Sequence, residues 1–355
     1  MTGEHHRRLL VRAMRHNIPL DVSIELTHHC NFRCQHCYIP DFHAPDRLST
    51  ARLLTLLDEL AEMGTMFLTL TGGELFLRRD WLEVSRRARE LGFALRLFSN
   101  GTLIDDTVAE AIAGLPAVVE ISLYSMDRST FEEVTRRPGS FDKTLHGIEM
   151  LRRYDVEVLL KMPLMIHNYR HVDDVAAYSE RVGAGFQVSS TIVARKDGDL
   201  SPLAVRVSQE ELMPLYGGPH LGCGLPEEAA EGLAADDPRA DGPMCAAASR
   251  YCNITSSGDV MACNVLPGSD SNVRERSFRD AWESSPWLNK VRGIRAADLH
   301  TCKSCSRLSY CGRCHAQALT EDGDLYGPSS FAQKRAEIFE RKASAQELVQ
   351  LRVSG

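Results

Sequence analysis

The stretch Cys30-Asn31-Phe32-Arg33-Cys34-Gln35-His36-Cys37-Tyr38 decides how the rest of the chain is read. It follows the strand-like run Val22–Leu26 and places three thiols in one short loop, separated by three and then two residues. Soft thiolates at close spacing select zinc or iron–sulfur clusters. A cubane cluster has four irons, so three cysteines leave one iron without a protein ligand. That iron is free to bind a small molecule, which suits catalysis better than a purely structural role. The competing reading is a Cys3His zinc site completed by His28, His29 or His36.

Around this loop, the chain of 355 residues is long enough for one large and one small domain. Hydrophobic and charged fractions of 43% and 25% are ordinary for a globular protein. A net charge of −7 argues against nucleic-acid or anionic-membrane partners. The basic pairs Arg86-Arg87 and Arg136-Arg137 read as solvated helix faces. No apolar run approaches the roughly 18 residues of a membrane span, and the first twenty residues lack a signal-peptide core. The eleven cysteines divide unevenly: three in 30–37, then Cys223, Cys245, Cys252, Cys263, Cys302, Cys305, Cys311 and Cys314. Such use suggests metal binding in a reducing, cytoplasmic setting, with a catalytic domain followed by a cysteine-rich one.

From Asp21 the pattern repeats strand, loop, helix. Strands are expected at Val22–Leu26, Met66–Leu70, Ala94–Phe98, Val118–Leu123, Val156–Lys161 and Gly185–Ser190. The leucines of 49–63 recur on one face of a 3.6-residue period and Gly64 ends that helix. Asp127 reads as the cap of another helix, stopped by Pro138-Gly139. Six such units predict a parallel sheet with helices outside, an α/β fold forming a partial (β/α)6 TIM-like barrel with its chemistry on loops after the strands. Domain boundaries follow: a helical segment at 1–19, the barrel at 20–195, a bridge at 196–243, a cysteine-rich domain at 244–335 and a closing helix at 336–355. No GxGxxG or Walker pattern follows any strand, which removes a dinucleotide or P-loop reading.

The three-cysteine loop, with His36 just before its last thiol, resembles the signature of the radical S-adenosylmethionine (SAM) enzymes. The Thr71-Gly72-Gly73-Glu74 run after the second strand matches that family's next motif. The resemblance implies a 4Fe–4S cluster on Cys30, Cys34 and Cys37, and a SAM amino group held at Gly73 and Glu74. It makes Ser99, Asn100 and Ser122 candidates for ribose or carboxylate contacts, and places Tyr38 beside adenine. Lys161 is a candidate partner for the SAM carboxylate, and His36 adjoins the same site. Where relatives often carry Asp-Gly after the fourth strand, this chain has Tyr124-Ser125. The family's chemistry is reductive cleavage of SAM to a 5′-deoxyadenosyl radical, which abstracts hydrogen from substrate.

The later cysteines resemble the SPASM extension, which typically carries two auxiliary 4Fe–4S clusters. By that resemblance Cys245, Cys252, Cys263 and Cys314 form one ligand set, and Cys302, Cys305 and Cys311 belong to a second. The second lacks its last cysteine, leaving Asp322, Asp324, Gln333 or Cys223 as stand-ins, or an open iron. A zinc ribbon over 302–314 is the alternative that spacing alone permits. Enzymes of this architecture commonly modify ribosomally made peptides, so the expected partners are a peptide substrate, a separate peptide-recognition protein that presents it, and an electron donor such as flavodoxin or ferredoxin. A small-molecule substrate such as a tetrapyrrole, as in haem d1-type pathways, is the other enzymatic reading.

Overall fold

The computed structural model describes residues 3–216, 218, 220, 245–307 and 310–353. Most of the bridge, with Cys223, lies outside the described residues. The strands are β1 (Asp21–Thr27), β2 (Phe67–Gly72), β3 (Ala94–Ser99), β4 (Ala117–Ser122), β5 (Glu157–Pro163), β6 (Gly185–Ser189), β7 (Tyr251–Ile254) and β8 (Val260–Met261). They form one open sheet in the order β6-β5-β4-β3-β2-β1-β7-β8. Every neighbouring pair is parallel except the antiparallel β7–β8 hairpin.

The two faces of this sheet have opposite chemistry, and strand alternation is the cause. Val22, Ile24, Leu26, Leu68, Leu70, Leu97, Ile121 and Leu160 point outward and are fully buried under the helices. The other face carries Ser23, Glu25, Thr69, Glu120 and Asn253, all buried, with Arg96 and Lys161 partly covered and Gln187 exposed. An inner face with charges must pair them, because an isolated buried charge costs several kcal/mol. Here Arg96 bonds Asp21, Lys161 meets Glu120 at 3.1 Å, and Lys196 closes on Glu25.

Helix 50–62 packs Leu53, Leu56, Leu57 and Leu60 inward, with Ser49 capping its N-terminus. Asp127 accepts the Thr130 N–H and so caps helix 128–135, as its sequence position suggests.

The cysteine-rich segment shares the barrel sheet: β7 adds in parallel to β1 and extends it. The stretch Phe278–Arg292 is two helices, Phe278–Glu283 and Pro286–Arg292, because Pro286 sits at the first turn of the second and cannot continue the first. These helices lean on the barrel through Phe278 N–H to Glu59 (2.7 Å) and Trp282 Nε1–H to the Asn17 carbonyl (2.7 Å).

Candidate cofactor and substrate site

Cys30, Cys34 and Cys37 line a cavity of about 430 Å³ at the C-terminal ends of the strands. The cysteine loop is pinned from several sides. Arg33 and Gln35 donate backbone N–H groups to the carbonyls of Thr135 and Val134, and Lys196 N–H bonds the Tyr38 carbonyl at 3.0 Å. Asn31 accepts from Asn100 Nδ2 at 2.7 Å and donates to Thr102 Oγ1 at 2.8 Å, tying the loop to the end of β3.

Gly73 and Glu74 occupy roles that the sequence does not reveal. A Cβ on Gly73 would lie 2.3 Å from the His29 carbonyl oxygen and 2.5 Å from that of His28. The glycine is therefore needed so that the turn can press against the cysteine loop. There Gly73 and Glu74 donate N–H bonds to Thr27 and His29 at 2.7 and 2.8 Å. Thr71, Gly72 and Gly73 line the cavity, but the Glu74 carboxylate is fully buried behind them. It accepts Ser99 Oγ–H (2.8 Å), Asn100 N–H (2.7 Å) and Phe76 N–H (3.2 Å). Burial pushes its pKa up and these bonds oppose the rise. Glu74 thus braces β2 against β3.

Ser99, Asn100, Ser122 and Lys161 all reach the cavity. Lys161 is shared with Glu120 and Gln187, two residues absent from the sequence-based site. A glutamate inside the apolar run Val118-Val119-Glu120-Ile121 was the available signal. Tyr38 points its hydroxyl at Asn264, and the Lys196 ammonium lies 5.0 Å from its ring centre. Beneath it Glu25 is fully buried. Burial alone would raise its pKa, but Lys196 and His28 outweigh that and hold it below 4.5. His28 is thereby committed to Glu25 at 2.9 Å. His36 is edge-on to Tyr124 with a ring-centre distance of 5.2 Å; burial lowers its pKa to about 4, and its Nδ1 is buried without a partner.

The thiols show what they could hold. Several accept a backbone N–H from two residues ahead: Cys30 from Phe32, Cys37 from Ile39, Cys245 from Ala247, Cys263 from Val265 and Cys311 from Arg313. Such bonds stabilise a thiolate, and hydrogen bonds to sulfur also tune a cluster. Without metal, burial instead raises these thiols, Cys30 to about 11 and Cys263 to about 12. Among the described residues no group of three His, Cys, Asp or Glu side chains is arranged to hold a single metal ion.

The C-terminal cysteines gather into two sets of three. Cys245, Cys263 and Cys314 act electrostatically on one another, as do Cys302, Cys305 and Cys311. Cys252 lies apart from both sets. It pairs in register with Val22 on the outward face of the sheet, fully buried beside Asp21 and Arg292. Asp322 accepts Ser330 N–H, Asp324 is held by His300 and Tyr326 N–H, and Gln333 is exposed. Arg335, packed over Gly312, reaches the second set, and Arg307 and Arg313 act on its cysteines too.

Residues 24–178 match the Radical SAM superfamily, and residues 245–315 match an iron–sulfur cluster-binding domain, SPASM. The chain belongs to the radical SAM superfamily. Among similar curated proteins, an AdoMet-dependent heme synthase of Methanosarcina barkeri is 25% identical, over 87% of this chain and 94% of its own. A PqqA peptide cyclase of Granulibacter bethesdensis is 27% identical, over 92% of this chain and 91% of its own. The solved structure of Streptococcus suis SuiB bound to its precursor peptide SuiA covers 93% of this chain and 80% of that one, with TM-score 0.72 and 18% identity, and so shares the fold. This radical SAM enzyme takes SAM and iron–sulfur clusters as cofactors. None of its described helices is long and apolar enough to cross a membrane.

Proposed function

We propose that this radical SAM enzyme modifies a peptide, with Cys30, Cys34 and Cys37 holding the SAM-binding cluster. The cavity carries the reading. At about 430 Å³ it lies near the lower end of the roughly 300–1,000 Å³ typical of small-molecule sites. Once a nucleoside cofactor is seated, the space left suits one inserted side chain better than a second rigid ring system. The PqqA peptide cyclase relative supports the same substrate class.

When bound, the cluster and SAM supply one-electron reductive cleavage and a 5′-deoxyadenosyl radical that takes hydrogen from the substrate. The rest is positioning by this chain. Gly73 lets the turn approach the cysteine loop, and the turn's backbone is offered to the SAM amino group. Lys161 has three donors, so it can stay anchored on Glu120 while meeting the SAM carboxylate. Ser99, Asn100 and Ser122 offer polar contacts to ribose, and His36 and Tyr38 flank the cofactor at the loop's end. Cys302, Cys305 and Cys311, with Cys245, Cys263 and Cys314, carry the auxiliary clusters.

A cytoplasmic setting, an electron donor of the flavodoxin or ferredoxin type and a separate peptide-presenting protein complete the proposal. The heme synthase relative favours a tetrapyrrole substrate instead. Anaerobic incubation with SAM, reductant and, in parallel, candidate precursor peptides or a carboxylated porphyrin separates the two readings. A peptide lighter by hydrogen atoms supports the proposal. An unchanged peptide alongside a decarboxylated porphyrin contradicts it.

A further inference from the structure

The chain passes from the second cysteine set to the first within Cys311-Gly312-Arg313-Cys314. Arg313, at that junction, is only 8% exposed. Its guanidinium is held on three sides: Nε–H donates to the Gly327 carbonyl at 2.7 Å, Nη2 to the Leu325 carbonyl, and Nη1 to His315 Nδ1 at 2.5 Å. An arginine only donates, so the imidazole nitrogen accepts and its ring is neutral. All three acceptors are therefore uncharged.

A buried guanidinium without a counter-charge is costly, and breaking such a pairing is strongly destabilising. The negative groups that act on Arg313 are the thiolates of Cys302, Cys314 and Cys311, ahead of Asp324. Asp324 is partly exposed and already held by His300 and the Tyr326 N–H. Arg313 thus faces cysteines of both sets. The neighbouring cations are placed differently. Arg250 acts on Cys245 in the first set, and Arg335, over Gly312, acts on Cys311 in the second. Arg307 acts on Cys305, but it is partly exposed and ion-paired to Glu337 and Glu340.

Resting on the cluster reading above, we infer that Arg313 is the shared counter-charge of the two auxiliary clusters, a positioning residue that eases electron entry into both. Reduction adds negative charge to a cluster, so a fixed cation beside it raises the reduction potential. The bonds to Leu325 and Gly327 keep the charge from swinging away into water.

The test uses the full chain with Cys30, Cys34 and Cys37 all replaced by Ala, so that electron paramagnetic resonance of the reduced protein reports only auxiliary clusters. Cys263→Ser and Cys305→Ala, each deleting one cluster, assign the signals. In a potentiometric titration, Arg313→Gln, which keeps a donor but not the charge, lowers the midpoint potentials of both clusters. Arg313→Lys restores both, and Arg335→Gln lowers the second alone. Should Arg313→Gln fail to hold the clusters, their retention in Arg313→Lys reads the same need for charge. Unmoved potentials or a shift of one cluster in Arg313→Gln, an Arg313→Lys that behaves as Arg313→Gln does, or a drop of both clusters in Arg335→Gln overturns the inference while leaving the cluster reading intact. So does a parent with a single auxiliary cluster. A parent without auxiliary iron overturns both.

Discussion

Replacing Gly73 by alanine tests the packing of the glycine turn on the cysteine loop. The new methyl carbon would sit 2.3 and 2.5 Å from two backbone carbonyl oxygens, those of His29 and His28. A close carbon–oxygen contact is about 3.3–3.6 Å, so the two loops must part by about 1 Å. Neither partner is a flexible side-chain tip, so relief must come from the backbone that carries Cys30. Parting also breaks the 2.7 Å and 2.8 Å bonds from Gly73 and Glu74 N–H. Overpacking costs about 1–3 kcal/mol and each lost bond about 0.5–1.5 kcal/mol, giving roughly 2–6 kcal/mol in all. A 1 Å error in a reacting geometry costs about 10²-fold in rate. The expected outcome is SAM cleavage lowered about a hundredfold and a lower urea midpoint. Gly114→Ala, whose Cβ would meet only a carbonyl at 3.6 Å, should behave as wild type. Wild-type SAM cleavage and stability in Gly73→Ala would refute the reasoning.

Lys196→Met should destabilise by about 3–5 kcal/mol in urea unfolding, because it leaves Glu25 buried without its main counter-charge. The pH dependence of that loss has a definite sign: Glu25 is held below 4.5 in the wild type, so its contribution is present above pH 4.5 and fades as pH falls through the folded value. The variant's deficit should therefore be largest near neutral pH and shrink toward about pH 4; a deficit that grows on acidification contradicts the pairing. Asn31→Ala removes the links to Asn100 and Thr102 and strands their polar atoms, at about 1–3 kcal/mol. It should lower iron retention at the N-terminal loop, read as iron per chain after gel filtration. In iron-free protein, burial holds the Cys30 thiol at about 11, so iodoacetamide labelling of Cys30 should rise about tenfold per pH unit from about pH 7 to 9. A plateau in that range would mean a lower pKa.

The parallel sheet was legible in the sequence because each strand alternates or runs apolar for five or six residues between clear turn signals. Val22–Leu26 and Ala94–Phe98 fall within one or two residues of the observed β1 and β3. Strand β7 was missed because it has four residues, and nothing local says that its partner is β1, some 230 positions earlier. The resemblance offers Cys252 as a ligand; the face it shares with Val22 is set by a long-range register that the local sequence does not encode. The bracing role of Glu74 is not legible in a carboxylate that follows two glycines. Its three hydrogen bonds come from Ser99, Asn100 and Phe76, and two of these lie about 25 residues away. The inner-face pairs Glu25–Lys196 and Glu120–Lys161 left only half a trace, a charge inside an apolar strand without its partner.

The central claim is that the N-terminal trio of thiols supports SAM cleavage, and 5′-deoxyadenosine formed anaerobically from SAM under dithionite measures it most directly. The wild-type chain should produce it, and the variant with Cys30, Cys34 and Cys37 replaced by Ala should produce none while keeping its auxiliary iron. Undiminished 5′-deoxyadenosine from that variant would contradict the account.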